Sequence, residues 1–103
     1  MTNPLQKDLE SGRFTVTAEI TPPRGADFDS LTAAAEILKP AVSAVNLTDG
    51  AGARVRMSSL AAAIHLKQIN VEPIMQMTCR DRNRIAIQSD LLGAAAFGIS
   101  NVL

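Results

Sequence analysis

Apolar and polar residues alternate along four short stretches of the chain and recur at helical spacing between them. Alternation typical of β-strands covers residues 13–20, 41–48, 71–78 and 99–103. Helical spacing covers residues 28–39, 56–69 and 83–97. The order is therefore βαβαβαβ, which predicts an α/β protein with parallel strands joined by right-handed crossovers.

Each predicted helix carries a stripe of side chains at helical spacing and signals at its ends. The stripes consist of Leu31, Ala34, Ala35 and Leu38; of Met57, Leu60, Ala61 and Ile64; and of Ile85, Gln88, Leu92 and Ala95. Asp27 or Asp29 is expected to cap the first helix and Ser58 or Ser59 the second. Pro40 and Gly98 stand where helices end.

The strand–helix units repeat at nearly constant length. Glu19 and Thr48 are 29 positions apart, and Thr48 and Thr78 are 30 positions apart. A (β/α)₈ TIM barrel of about 250 residues has about 31 residues in each unit. We therefore expect residues 1–103 to be the N-terminal half of one barrel domain, cut within its fourth strand. A doubly wound open sheet has units of similar size and is the alternative fold.

Each strand turns one apolar and one polar face, and the polar faces share one end. In the first strand, Phe14, Val16, Ala18 and Ile20 oppose Thr15, Thr17 and Glu19. We expect the apolar faces to lie under the helices and the polar faces inside the barrel. The polar set that then meets at the C-terminal mouth is Glu19, Asn46, Thr48, Gln76 and Thr78.

Composition narrows the classes of partner. Ten Lys and Arg balance ten Asp and Glu, so charge gives no reason to expect nucleic acid or an anionic membrane as a partner. No apolar run is long enough for a transmembrane helix, and the polar N-terminus is unlike a signal peptide. The single cysteine, Cys79, fits a reducing cytoplasm and is expected to be packed. No metal-ligand spacing is present, and the only histidine, His65, lies mid-helix.

The strand-end loops each allow a chemical and a structural interpretation. Glu19 is either a general acid or a carboxylate paired with an arginine such as Arg24. "TPPRGAD" and "TDGAGAR" are typical of a rigid loop and a tight turn, and the second lacks the pattern of a dinucleotide or phosphate loop. "TCRDRNR" either binds an anion near a helix N-terminus or holds Asp81 among its arginines.

Three stretches together resemble the methylenetetrahydrofolate reductase family. They are "TAEITPPRGAD", "VNLTDGAGARVRMSSLA" and "EPIMQMTCRDRNRIAIQSDLLGAAAFGISNVL", which span about residues 14–103. The resemblance implies a barrel that binds FAD and reduces 5,10-methylenetetrahydrofolate to 5-methyltetrahydrofolate with NADH or NADPH, in one-carbon metabolism and methionine biosynthesis. It implies that Glu19, in the "E..PP" motif, is the general acid, and that Thr48 and Gln76 contact the flavin.

The sequence departs from the family pattern at two positions. Gln76 stands where many members have histidine, and "LTDGAG" stands where many have a Thr-Tyr-Gly run. Glutamine forms hydrogen bonds but cannot titrate, which changes the contact expected with the flavin. Together the two changes indicate a divergent branch of the family, which can use another electron donor and can bind a partner subunit or form a homo-oligomer. Two alternatives remain open: a non-catalytic folate-binding subunit and another pterin-using methyl-transfer barrel. The 103 residues alone are expected to be inactive.

Overall fold

Parallel strands joined by helices form the frame that the alternation predicts. The computed structural model describes residues 3–103. Its helices are α1 (Pro4–Glu10), α2 (Asp29–Leu38), α3 (Ser59–Gln68) and α4 (Arg84–Ala96), and its strands are β1 (Thr17–Ile20), β2 (Ala44–Leu47) and β3 (Pro73–Met75). A short 3₁₀ turn, Ala51–Ala53, follows β2. The result is an α/β fold compatible with part of a TIM barrel.

The three strands are parallel and lie in the order β1-β2-β3. Glu19 lies beside Asn46, and Asn46 lies beside Ile74 on the next strand. The prediction of a full fourth strand over 99–103 is only partly met, since Val102 makes an isolated parallel bridge to Met75. Two backbone bonds support it, from Met75 N to Asn101 O at 2.9 Å and from Leu103 N to Met75 O at 3.0 Å.

Apolar side chains on one face of the sheet form the core with the helices. Val45, Leu47 and Met75 are each 0% exposed, and they pack with residues of α2, α3 and α4. The opposite face carries Asn46 and Gln76. The prediction that the apolar faces of β2 and β3 lie under the helices is therefore confirmed.

The first predicted helix, α2, packs through its predicted stripe, whereas the second, α3, is buried through a neighbouring face. In α2, Leu31 and Ala35 are buried. In α3 the fully buried residues are Ser59, Ala62, Ala63 and Leu66, while the predicted stripe is half-buried. Because α3 contacts both α2 and α4 as well as the sheet, it is covered on three sides and a single stripe does not describe it.

Two predicted core assignments are wrong. The stripe of α4 faces outward, with Ile85 and Leu92 each 74% exposed, because this helix packs through the face that carries the buried Ala94. Phe14 is 95% exposed, since it lies ahead of Thr17, where pairing in the sheet begins, and is not covered by a helix.

The N-terminal helix α1 was not predicted, although the sequence carries its signal. Asn3 caps it by accepting a hydrogen bond from Gln6 N, and Pro4 occupies the first turn. Asn3 also donates to Ser100 Oγ and Asn101 Oδ1, both at 3.0 Å. This helix is therefore tied to the segment after α4. Among residues 3–103, no helix has the length and apolar content needed to cross a membrane.

Candidate active site at the carboxyl ends of the strands

Three polar side chains at the carboxyl ends of three neighbouring strands meet on the face of the sheet opposite the helices. Glu19 of β1 lies beside Asn46 of β2. Gln76, directly after β3, donates from Nε2 to Glu19 Oε1 at 3.1 Å and to Asn46 Oδ1 at 3.4 Å. We call Glu19, Asn46 and Gln76 the amide–carboxylate cluster. The structure therefore brings together three of the five polar residues that alternation placed at the mouth.

Glu19 is bonded to an amide rather than to an arginine. Its residue is exposed, and within residues 3–103 it forms no ion pair with Arg24. The structural alternative of a Glu19–Arg24 pair is therefore wrong for the described chain. An accessible carboxylate on this face of the sheet, held by a neutral donor, is chemically able to give or take a proton with a ligand above it.

The backbone of Gln76 is fixed by the sheet and by α3. Its N–H donates to Leu47 O at 3.2 Å, and its carbonyl accepts from Ser59 Oγ at 2.7 Å. Ser59 is 1% exposed, and its predecessor Ser58 caps α3 by accepting from Ala61 N. Leu47 and Ser59, both buried, therefore hold the backbone of Gln76 from two sides. The sequence did not reveal this role of Ser59.

Thr48 lies at the end of β2 but does not join the cluster. Its N–H donates to Ile20 O at 3.3 Å, and the residue is 8% exposed. Its hydroxyl oxygen is buried and, among residues 3–103, has no hydrogen-bond partner. An unpaired buried hydroxyl typically costs about 1–3 kcal/mol, so this atom is a group that a ligand bond would stabilise.

The loop after β1 is anchored to the start of the segment that leads into α3. Pro22 is buried, and its carbonyl accepts from Arg56 Nη1 at 3.1 Å. The carbonyl of Pro23 accepts from Met57 N at 2.8 Å. The two prolines therefore form the rigid exit that was predicted, and they fix the chain immediately after Glu19.

A largely buried ion pair joins the loops that follow β2 and β3. Asp49 pairs with Arg82, and their side chains are 11% and 15% exposed. The Asp49 carboxylate also accepts from Thr78 N at 2.7 Å, and Thr78 Oγ1 donates to the Asp49 carbonyl at 2.9 Å. Burial raises the pKa of Asp49, but the Arg82 and Thr78 hydrogen bonds outweigh it, so the pKa lies below its ordinary value.

This ion pair is the part of the site that the sequence interpretation missed. Arg82 also donates to the carbonyl of Thr78 at 2.8 Å and lies 3.5 Å from a carboxylate oxygen of Asp90. We call Asp49, Thr78, Arg82 and Asp90 the loop clamp. Thr78 therefore serves the clamp and not the amide–carboxylate cluster. No local pattern signals a pair that is 33 residues apart in the chain.

The "TCRDRNR" loop also holds Asp81 against a neighbouring arginine, as its structural interpretation predicts. Asp81 pairs with Arg80 at 2.7 Å, and Arg80 Nη2 also donates to the Gly50 carbonyl at 3.1 Å. Gly50 has φ +60°, as the predicted tight turn requires. Cys79 is exposed, so the expectation that it is packed is wrong: it lies in a loop outside the core.

The only histidine stabilises the contact between two helices. The His65 ring stacks on Phe28 with 4.1 Å between centroids, and its Nε2 lies 2.6 Å from Thr32 Oγ1. Both partners belong to the beginning of α2, far from the amide–carboxylate cluster in the chain. Within residues 3–103, no three His, Cys, Asp or Glu side chains are grouped as metal ligands.

Polar side chains at the carboxyl ends of parallel strands, with crossover helices on the other face, define an α/β protein with its site where such enzymes bind their ligands. The sequence model of the family described as methylenetetrahydrofolate reductase (MTHFR) matches residues 4–103. The chain therefore belongs to the MTHFR family. No individual curated protein matched the chain. Membership supports an oxidoreductase with a folate substrate, in a family that is generally flavin-dependent.

Proposed function

We propose that this chain is part of a flavin-dependent enzyme that reduces 5,10-methylenetetrahydrofolate to 5-methyltetrahydrofolate, with Glu19 as its general acid. The observation that carries the proposal is the accessible Glu19 carboxylate at the strand ends, held by Gln76 at 3.1 Å in a chain of the MTHFR family. NADH, NADPH or another donor supplies the electrons.

The chemistry assigned to Glu19 is the opening of the folate ring that carries the methylene group. Protonation of a ring nitrogen breaks its bond to the methylene carbon and leaves an electrophilic iminium on the other nitrogen. Addition of one hydride to that carbon gives the methyl group, so one proton and one hydride are consumed. A positioned general acid typically contributes about 10²–10⁴-fold to such a step.

The described residues fit a flavin in part. The orphaned Thr48 hydroxyl offers one hydrogen-bonding group at the strand ends. Because its oxygen has almost no accessible surface, it contacts a ligand only after a side-chain rotation or a loop movement. Gln76 offers its amide oxygen, since its NH₂ group is used by the cluster. FAD, when bound, supplies the hydride transfer.

We further propose that the sheet belongs to a (β/α)₈ barrel, with residues 1–103 as the N-terminal part of one domain. The parallel order β1-β2-β3 and the unit lengths of 29 and 30 residues support it. Under this proposal the described residues form one side of the mouth and are inactive without the remaining units.

The decisive experiment uses the intact protein that carries this sequence and the Glu19→Gln variant. The variant is expected to bind flavin, seen by its yellow absorbance, and to lose at least about 100-fold in folate reduction. Thr17→Ala is the matched control, because Thr17 is exposed on the same strand and outside the cluster. Full activity in Glu19→Gln would refute the assigned role.

A second function is favoured by one observation, the neutral amide of Gln76 in the centre of the cluster. A glutamine cannot exchange a proton with a ligand, which suits a folate-binding subunit without turnover. That function predicts an intact protein without flavin that binds methylenetetrahydrofolate, measured by calorimetry, and never converts it. Yellow protein with folate reduction would exclude it.

A further inference from the structure

The geometry points to Gln76 as a positioning residue that orients Glu19 and stabilises its carboxylate after the proton is given up, with Asn46 acting through Gln76. This inference rests on the proposed function of Glu19 as proton donor. It adds a chain of three side chains, from Asn46 to Gln76 to Glu19, in which only the last touches the substrate.

The contact spans two strand spacings. Neighbouring strands are about 4.8 Å apart, so β1 and β3 are separated by roughly 10 Å with β2 between them. Gln76 and Glu19 are the side chains long enough to close that gap, and they meet at 3.1 Å over Asn46. Shortening either side chain by one methylene withdraws its head group by about 1.5 Å and breaks the hydrogen bond.

The amide of Gln76 has a fixed donor direction. In the structure the NH₂ group of Gln76 faces Glu19 Oε1 at 3.1 Å, and this is the direction that the carboxylate left after proton transfer requires, because an ionised carboxylate only accepts hydrogen bonds. The same NH₂ group reaches Asn46 Oδ1 at 3.4 Å, which keeps the amide in this orientation. The backbone of Gln76 is held by Leu47 and Ser59, so its side chain starts from a fixed point.

The consequence for the reaction concerns the carboxylate that remains after proton transfer. When the Glu19 carboxyl O–H bond breaks and the proton moves to the folate nitrogen, negative charge stays on the carboxylate. A donor already aimed at that oxygen stabilises this charge without rearrangement. Among residues 3–103, the side-chain group that donates to Glu19 is the neutral amide of Gln76, and Glu19 forms no ion pair.

The kinetic test compares Gln76→Met and Gln76→Asn with the wild type in the intact protein. Methionine keeps the length and removes the donor, whereas asparagine keeps the donor and loses the reach. In both, kcat on its acid-side plateau is expected to fall roughly 10-fold, the usual effect of losing a hydrogen bond to a charged group. KM for the folate is expected to change less than about twofold, since Gln76 does not hold the substrate.

A double-variant comparison separates positioning from general damage to the fold. Asn46→Ala is expected to lower kcat as Gln76→Met does and to add nothing to Gln76→Met, because both remove one chain of contacts. Full additivity of the two losses, or an unchanged kcat in Gln76→Met, would overturn the inference.

A measurement without turnover distinguishes this failure from failure of the proposed function. In protein labelled with ¹⁵N-glutamine, the side-chain signal of Gln76 is identified by its loss in Gln76→Met. That signal is expected to move in Glu19→Leu, which removes the hydrogen-bond acceptor, and to stay in place in Thr17→Ala. If wild-type protein does not reduce folate, the proposed function fails while this signal still tests the contact. An insensitive signal overturns the inference whatever the activity.

Discussion

The loop clamp is expected to hold the strand-end loops together, and the substitution Arg82→Met tests how strongly. It keeps the apolar stem of Arg82 and removes the charge that faces Asp49. Exposed ion pairs contribute about 0–1 kcal/mol, whereas removing one partner of a buried pair costs about 3–5 kcal/mol. The two side chains are 11% and 15% exposed, and in the variant Thr78 N still donates to Asp49 at 2.7 Å. We therefore expect the free energy of unfolding to fall by about 2–3 kcal/mol.

The opposite substitution is expected to cost less. In Asp49→Asn, Arg82 keeps the Thr78 carbonyl at 2.8 Å and Asp90 at 3.5 Å, so its charge is not left alone. We expect the free energy of unfolding to fall by about 1–2 kcal/mol in Asp49→Asn. In the double variant we expect the loss to be smaller than the sum of the two single losses by about 1–2 kcal/mol. Urea unfolding of the intact protein, followed by circular dichroism, measures all three.

The pH dependence gives an independent check on the clamp. The pKa of Asp49 is lower in the folded protein than its ordinary value of 3.8, so the stabilisation is present above that value. It is lost as the pH falls through the folded pKa, where the carboxylate takes up a proton. With Arg82 removed, burial still raises the pKa of Asp49, so the carboxylate of the variant takes up its proton at higher pH than that of the wild type. The stability gap between the wild type and Arg82→Met should therefore be largest near pH 7 and shrink as the pH falls.

The control is the neighbouring exposed pair of Arg80 and Asp81, whose side chains are 49% and 63% exposed. Arg80→Met is expected to leave stability unchanged within error, because solvent screens such a pair. A coupling between Asp49 and Arg82 that is indistinguishable from zero would refute the clamp. A gap of the same size at pH 3 and pH 7 would refute its electrostatic origin.

Three further substitutions test the core, the site anchor and the turn, each by urea unfolding of the intact protein. Leu47→Ala removes a side chain that is 0% exposed and should lower the free energy of unfolding by about 2–5 kcal/mol. Ile37→Ala, at a 77% exposed position, should lower it little, and equal losses would contradict the core assignment. Ser59→Ala removes the buried hydrogen bond to the Gln76 carbonyl and should lower the free energy of unfolding by about 1–2 kcal/mol. An unchanged stability would contradict that hydrogen bond. Gly50→Ala, at φ +60°, should lower the free energy of unfolding by about 1 kcal/mol. Gly25→Ala, with nothing within 4 Å of the added carbon, should leave it unchanged, and the reverse order would refute the turn assignment.

The three helices that follow the strands, α2, α3 and α4, were predictable because their signals are local. The expected ranges 28–39, 56–69 and 83–97 contain α2, α3 and α4, and Ser58 caps α3 as expected. Caps and helical spacing act within one or two turns, so they are visible in a short window of sequence. The strands are shorter than predicted, because a strand extends only as far as its neighbour continues to pair with it.

The choice of packed face needed the tertiary structure in two helices. For α4, the apolar residues Ile85 and Leu92 form a regular stripe, yet the helix packs through the face that contains Ala94. A sequence shows where apolar residues lie around a helix, and only its neighbours decide which of them are covered. The same reason explains α3, which is covered on three sides.

The sequence by itself determined the parallel βαβ order and the shared face of Glu19, Asn46 and Gln76, because a strand alternates with a period of two wherever it lies. The tertiary structure decided which of the mouth residues touch. It joined Gln76 to Glu19 across 57 positions of the chain and Arg82 to Asp49 across 33. These pairs depend on the register between strands and on the path of the loops, which long-range packing sets and local sequence does not encode.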